Sequence, residues 1–150
     1  MGLDNGIYLR YRKHLNDPYK DDTQEILDKL IEDEDYDNSY NPYFNNICDA
    51  ICYWRKCWGL RNSVMSYLGK KYQEYDKSEY ELDMEDIDAI TEMILKTIQN
   101  PLEWESPVWT WREYLNNNVQ NYANLLRLRK DFKDKFLDTE EIAVIWYDSY

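Results

Sequence analysis

Two segments near opposite ends of this 150-residue chain have the pattern of β-strands, and a strand cannot stand alone. Gly6-Ile-Tyr-Leu-Arg-Tyr-Arg12 alternates apolar or aromatic with cationic residues and puts Ile7, Leu9 and Tyr11 on one face, as a half-buried strand does. Glu141-Ile-Ala-Val-Ile-Trp-Tyr147 is β-branched and aromatic, which suits a pleated surface packed on a core. An unpaired strand leaves a row of backbone N–H and C=O groups without partners. The N-terminal strand is the obvious mate for the C-terminal one, so the chain is expected to close into a sheet on its own two ends.

Between these strands the periodicity is helical. Asp22, three residues before Glu25, gives a capping-box-like start to a short helix through Glu32, with Ile26, Leu27, Leu30 and Ile31 as its apolar stripe. The following EDEDYDNSYNPYFNN opposes regular structure through like charges, Asn, Ser and Pro42. Asp83 can cap a helix from Met84 to Gln99, with Ile87, Ile90, Ile94 and Ile98 on one side and Asn100-Pro101 as its stop. Ser106-Pro107 marks another start. From there Val108, Trp111, Leu115, Val119, Tyr122 and Leu126 form an apolar stripe towards Phe132 and Phe136, with a break expected near Asn116-Asn117-Asn118.

The stretch CYWRKCW lies inside a helical pattern from Phe44 to Leu68, with Gly69 as the expected C-terminal cap. At about 100° per residue, Ile47, Ile51, Trp54, Trp58 and Met65 share one stripe, and Tyr53, Cys57, Leu60, Val64 and Leu68 an adjacent one. An apolar arc of about half the circumference predicts a central helix. Cys48, Cys52 and Cys57 then share a few turns of one helix, with Cys57 turned about 140° away from Cys52. His14, the single histidine, is distant in sequence. That is a poor metal-ligand set, and reduced thiols are expected.

The expected fold is therefore α+β and mostly helical, with four to five helices packed beside a small sheet that pairs the N- and C-terminal strands. A length of 150 residues with 43% apolar and 16% aromatic content supports one domain over residues 1–150. With 15 Tyr and 4 Gly, rings must do much of the packing and tight glycine turns are few. No window approaches 18 apolar residues and no secretory leader is evident, so a cytoplasmic protein without a membrane span is expected.

The net charge of −12 is unevenly spread. Residues 17–37 hold ten Asp/Glu against Lys20 and Lys29, and residues 73–92 hold nine against Lys77, so each segment is net −8 and the remainder of the chain is net +4. Like carboxylates at acid–base spacing are too common here to mark a catalytic pair. Neither a glycine-rich phosphate loop nor a Ser/His/Asp set can be drawn from the residues, so no catalytic residue, metal or cofactor is expected.

The opening MGLDNGIYL, the stretch YWRKCWGLRNSVMSYL and the ending IWYDSY resemble a group of small tailed-phage proteins of unknown function. Those proteins open Met-Gly-Leu-Asp, carry an internal YWRK helix and end on an aromatic strand. The resemblance covers about the first dozen residues, residues 53 to about 98, and the last few. Where those proteins have a Gly- and Phe-rich segment, this chain has EWESPVWTWREYLNNN. The resemblance implies a phage or prophage origin and assigns no site residues.

Interleaved acids and tyrosines suggest a surface that imitates nucleic-acid phosphates, because carboxylates one helical turn apart are about 5–6 Å apart and Tyr supplies contact area. The residues expected to meet a partner are Asp33, Glu34, Asp35, Tyr36, Asp37 and Tyr40 in the first segment. In the second they are Glu79, Tyr80, Glu81, Asp83, Glu85 and Asp86. The partner class is a host or defence-system protein with a basic nucleic-acid-binding surface, without direct binding of nucleic acid. The competing readings are solvated acidic loops, divalent-cation binding, and a small-molecule binder or enzyme with an aromatic pocket.

Overall fold

The computed structural model describes residues 4–37, 43, 50–75, 77–100 and 110–149. Its elements run β1 (Asp4–Tyr11), a 3-10 turn (Arg12–His14), α1 (Thr23–Glu32), β2 (Cys52–Arg55), α2 (Trp58–Tyr72), β3 (Glu79–Leu82), α3 (Met84–Gln99), α4 (Trp111–Lys133) and β4 (Ile142–Ser149). It is a mostly helical α+β structure. The two terminal strands pair antiparallel along their whole lengths, from Asp4 opposite Ser149 to Tyr11 opposite Ile142. They form the centre of a four-stranded sheet in the order β2-β1-β4-β3.

Alternation divides the sheet as the sequence implies. Ile7, Leu9, Trp54, Leu82, Val144 and Trp146 face a core shared with all four helices. Tyr8, Ala143 and Ile145 are buried on the other face against Leu15, Ala50 and Tyr147. The chain after the 3-10 turn braces that second face. Arg10 donates through Nε to the Lys20 carbonyl at 2.8 Å and forms an ion pair with Glu79 at 2.8 Å, and the Tyr19 N–H donates to the Glu79 carboxylate at 2.7 Å.

The sheet has two edges on its β2 side, and both are closed by side chains. β2 is shorter than β1 and pairs only with Asp4 to Ile7. Beyond it, the start of α1 acts as a partial strand: the Leu9 N–H donates to Thr23 Oγ1 at 2.8 Å, the Asp22 N–H to the Leu9 carbonyl at 2.9 Å, and the Tyr11 N–H to Asp22 Oδ2 at 2.8 Å. Asp22 is indeed the residue before α1, but its carboxylate serves β1 and makes no capping bond to the helix. The outer side of β2 is served by α4. Asn117 and Asn121 each donate an amide N–H to the Tyr53 carbonyl, at 2.8 and 3.1 Å, and Asn124 donates to the Ile51 carbonyl at 2.8 Å.

Two expectations are corrected here. Residues 52–55 of the expected helix Phe44–Leu68 form a strand, and α2 starts only at Trp58; the part over residues 44–49, with Cys48, lies outside the described residues. Trp54 is buried, as expected, but through a strand that points it at Trp146, with ring centroids 5.8 Å apart. Gly69 lies inside α2, which ends at Gln73 in the left-handed conformation (φ 53°). The second correction is α4, which runs unbroken through its asparagines. Asn disfavours helices when it competes for its own backbone, but here the buried amides have the carbonyls of β2 to bond. α3 and its cap are as expected: the Asp83 carboxylate accepts from the Asp86 N–H and Asp86 returns the bond in a full capping box. The start expected at Ser106-Pro107 lies outside the described residues; α4 is capped by Thr110, which accepts from the Glu113 N–H at 3.2 Å.

Candidate functional site

The outer face of α1 carries the clearest charged surface. Asp21, Glu25, Asp28 and Glu32 are all exposed and recur at steps of four, three and four residues, so they form one row down the helix and the turn before it. Asp33, Glu34 and Asp35, also exposed, continue it, held in a turn in which the Asp35 N–H donates to Asp33 Oδ1 at 2.9 Å. Neighbouring carboxylates at such steps are about 5–6 Å apart. Lys29 pairs with Glu25 at 3.3 Å in the open, an arrangement of little energetic weight.

Tyr36 does not belong to that surface. It is buried, its ring set edge-on against Phe136 at 5.2 Å and beneath the Arg127 guanidinium at 4.7 Å. Its hydroxyl donates to Asp131 Oδ2 at 2.9 Å, the Tyr43 hydroxyl donates to the same oxygen, and Arg127 Nε donates to Asp131 Oδ1 at 3.1 Å. Burial first, and then the Asp131 carboxylate, push the Tyr36 hydroxyl up to about 12 and raise that of Tyr43 further. Arg127 also donates to the carbonyl of Asp37, whose side chain is exposed. Tyr40 lies outside the described residues.

The second acidic segment is mostly committed to the fold. Glu79 is tied to Arg10, and Tyr80 is a core residue whose hydroxyl donates to the Glu74 carbonyl at 2.6 Å. Glu81 pairs with Arg12 at 2.7 Å. Asp83 caps α3 and pairs with Lys71 at 2.8 Å; burial alone would raise its pKa, but Lys71 and the Asp86 N–H outweigh that and lower it. Asp86 is fully buried and accepts from Lys71 at 2.7 Å, Tyr67 at 2.9 Å and Tyr72. Tyr36, Tyr80 and Asp86 are thus corrected from contact residues to interior ones. Of the second group, Glu81, Asp83 and Glu85 remain exposed although each lies beside a cation, Arg12 for Glu81 and Lys71 for Asp83 and, at 3.8 Å, for Glu85.

The two acidic patches flank the basic end of α4. Arg127 reaches Asp37 on one side, and Arg129 forms an ion pair with Asp88 of α3 on the other. A cleft of about 420 Å3 opens between the β3–α3 corner and the end of α4, lined by Tyr72, Leu82, Met84, Phe132 and Val144 with Arg12, Glu81 and Asp83 at its rim. A second hollow of about 440 Å3 shares Met84, Phe132 and Thr139 with it and adds Asp88, Leu126, Lys130 and Lys133. Ligand pockets fall in this size range.

Among the described residues no group of three or more His, Cys, Asp or Glu is arranged to hold a metal ion. Cys52 and Cys57 are buried, donating weakly to the carbonyls of Asn121 at 3.7 Å and Arg55 at 3.3 Å. Among the described residues, no helix is long and apolar enough to cross a membrane. Comparison with known proteins returns no matching family model, no matching curated protein and no matching solved structure.

Proposed function

We propose that this chain is a phage or prophage accessory protein that acts by contact, inhibiting a host or defence-system protein by occupying its basic nucleic-acid-binding surface. The observation that carries the reading is the exposed carboxylate row Asp21, Glu25, Asp28 and Glu32, extended by Asp33, Glu34 and Asp35. A row of negative groups at near-regular steps on a rigid helix presents the charge pattern of a nucleic-acid strand, accelerates encounter with a cationic groove and sets its orientation. The phage origin rests on the sequence resemblance. No catalytic step is assigned.

The test is affinity capture from host lysate at low and high salt with the wild-type chain and with a variant carrying Asp28→Asn, Glu32→Gln, Asp33→Asn, Glu34→Gln and Asp35→Asn. A basic nucleic-acid-binding protein should be retained at low salt and released at high salt, and the neutralised variant should associate more slowly while melting at the same temperature. Retention of that protein by the variant with an unchanged association rate would sink the proposal. The cleft with Tyr72 and Phe132 favours a second reading, a small-molecule binder. A metabolite co-purifying with the protein, and lost in Phe132→Ala, would favour it.

A further inference from the structure

The two hollows beside the end of α4 share Met84, Phe132 and Thr139, so they join into one trough. Its ends differ in charge. The first hollow has a largely aliphatic floor that includes the otherwise buried Leu82, Ile142 and Val144, and its rim sets Arg12 against the two carboxylates of Glu81 and Asp83. The second is walled by α3 through Met84 and Asp88, one turn apart, and by α4 through Leu126, Arg129, Lys130 and Lys133. Steps of three and four residues put those four on one face of the last two turns of α4. The second hollow therefore holds three cations against one carboxylate, an exception in a chain of net −12.

Arg129 is taken up by Asp88. Lys130 and Lys133 are exposed, and among the described residues neither forms an ion pair. Cations in the last turn of a helix offset its dipole. That role needs no apolar surface beside them, yet both line the hollow of Met84, Leu126 and Phe132.

A ligand complementary to such a trough has a flexible apolar body and one compact anionic head. Lysine ammonium groups are point charges without the fork that selects bidentate partners, and they suit a head carried on a mobile chain. The floor is mainly aliphatic, with methionine, which adapts its shape, at the join; that suits a chain better than a flat ring. Glu81 and Asp83 at the far rim repel a head placed there, so the orientation is set by charge.

We propose that the trough binds a medium-chain carboxylate, its tail along Leu82, Met84 and Phe132 and its head between Lys130 and Lys133. The proposal rests on the small-molecule reading of the cleft, to which it gives a ligand class, and is independent of the acidic row on α1.

Decanoate is the probe, with decanol and decylamine as its neutral and cationic counterparts, followed through the methionine methyl resonances of the full chain. Decanoate should move the Met84 signal saturably and leave those of Met65 and Met93, which line neither hollow, in place. Lys130→Gln combined with Lys133→Gln alters two exposed groups and should melt as the wild type does. It should weaken decanoate about three- to tenfold, the worth of two exposed ion contacts, and leave decanol unchanged. Decylamine should bind least of the three. No saturable movement at Met84, equal movement at Met65 and Met93, a double variant that holds decanoate as tightly as the wild type, or decylamine binding more tightly than decanoate would each overturn the proposal. If decanoate fails while another compound co-purifies and is lost in Phe132→Ala, the carboxylate is wrong and the small-molecule reading stands.

Discussion

Trp54 Nε1 donates to Asn118 Oδ1 at 2.9 Å across the interface of β2 and α4, both residues being buried. The same Asn118 donates from Nδ2 to the Tyr114 carbonyl at 3.1 Å, so one amide joins an edge strand to the helix that covers it. Replacing Asn118 by Leu should cost about 1–3 kcal/mol, since the indole N–H is left buried without an acceptor. Trp54→Phe removes the donor. The double variant should be less destabilised than the sum of the singles, a coupling readable from urea unfolding. Strict additivity would mean that the bond contributes nothing. Trp54→Ala, which also empties core volume, should cost about 3–5 kcal/mol.

Asp131 gathers two tyrosine hydroxyls and a guanidinium at the end of α4. Asp131→Ala strips Arg127, Tyr36 and Tyr43 of their shared acceptor at once and should destabilise by about 3–5 kcal/mol, as breaking a buried ion pair does. The segment around Asp33 to Asp37, anchored through Tyr36, should become protease-sensitive in that variant while α3 keeps its amide protection. Uniform loss of protection across the chain would contradict this local role.

Tyrosine ionisation should be delayed in the folded protein. Burial first, then the neighbouring carboxylates, push Tyr36 and Tyr67 up to about 12, whereas an unfolded tyrosine ionises near ~10. The unfolded chain therefore sheds these protons first as pH rises. The stability linked to the two hydroxyls is complete below about pH 10 and drains away as pH climbs through about 12. A phenolate titration should show a late phase that is smaller by two groups in Tyr36→Phe combined with Tyr67→Phe, the remainder belonging to hydroxyls such as those of Tyr8, Tyr43 and Tyr72 that burial raises further. A single early step for all tyrosines of the wild type would refute it.

The acid side has the opposite sign. Burial alone would raise Asp22, but the bonds from His14 and from the Tyr11 N–H outweigh it and hold the carboxyl below its ordinary value. Its contribution is present above about pH 4, the unfolded value, and is lost as pH falls below that. Asp22→Asn should be less stable at neutral pH and lose less on acidification, seen as a shallower fall of the urea midpoint with falling pH. Parallel curves for the two proteins would remove Asp22 from the acid response.

The helix α2 has a glycine in the wrong place. Gly69 sits in its last turn, where a β-carbon would meet only the ring of the exposed Tyr75, at 2.6 Å, and that ring can swing aside. Four residues on, Gln73 holds a left-handed φ of 53° that glycine adopts without strain. Gly69→Ala together with Gln73→Gly should stabilise by about 1–2 kcal/mol, from helix propensity and relief of the cap. A fall in melting temperature would show that the Tyr75 ring cannot move.

What the sequence disclosed was what periodicity and caps can carry. The alternation in Gly6–Arg12 and the β-branched run at the other end placed the two central strands, and Asp83 with the isoleucine row placed α3. The strand Cys52–Arg55 was hidden because four residues are too few to separate a period of 2 from 3.6. Trp54 and Ile51 sit on a helical stripe as readily as on a pleat. The orientation of α4 was hidden for another reason: beside Tyr114, Leu125, Leu128 and Phe132, its buried face carries asparagines whose partners are backbone carbonyls more than sixty residues away. The signal was the recurrence of Asn117, Asn121 and Asn124 at one-turn steps. Of the candidate surface, the exposure of Asp33 to Asp35 followed from charge, whereas the interior roles of Tyr36, Tyr80 and Asp86 depend on Asp131, Glu74 and Lys71, which sequence does not place beside them.

Because β1 and β4 are mates along all eight residues, the order in which a ribosome releases the chain works against the sheet. At ~5–20 residues per second, β1 waits several seconds for its partner while the intervening helices emerge. Closing so large a loop is entropically slow, and folds dominated by such remote pairings form late. Until then Ile7, Leu9 and Trp54 have only the β1–β2 ribbon and whatever helices have gathered over it. Until β4 has emerged the nascent molecule lacks the centre of its sheet, and a chain ending before residue 142 would leave β1 without its full-length mate.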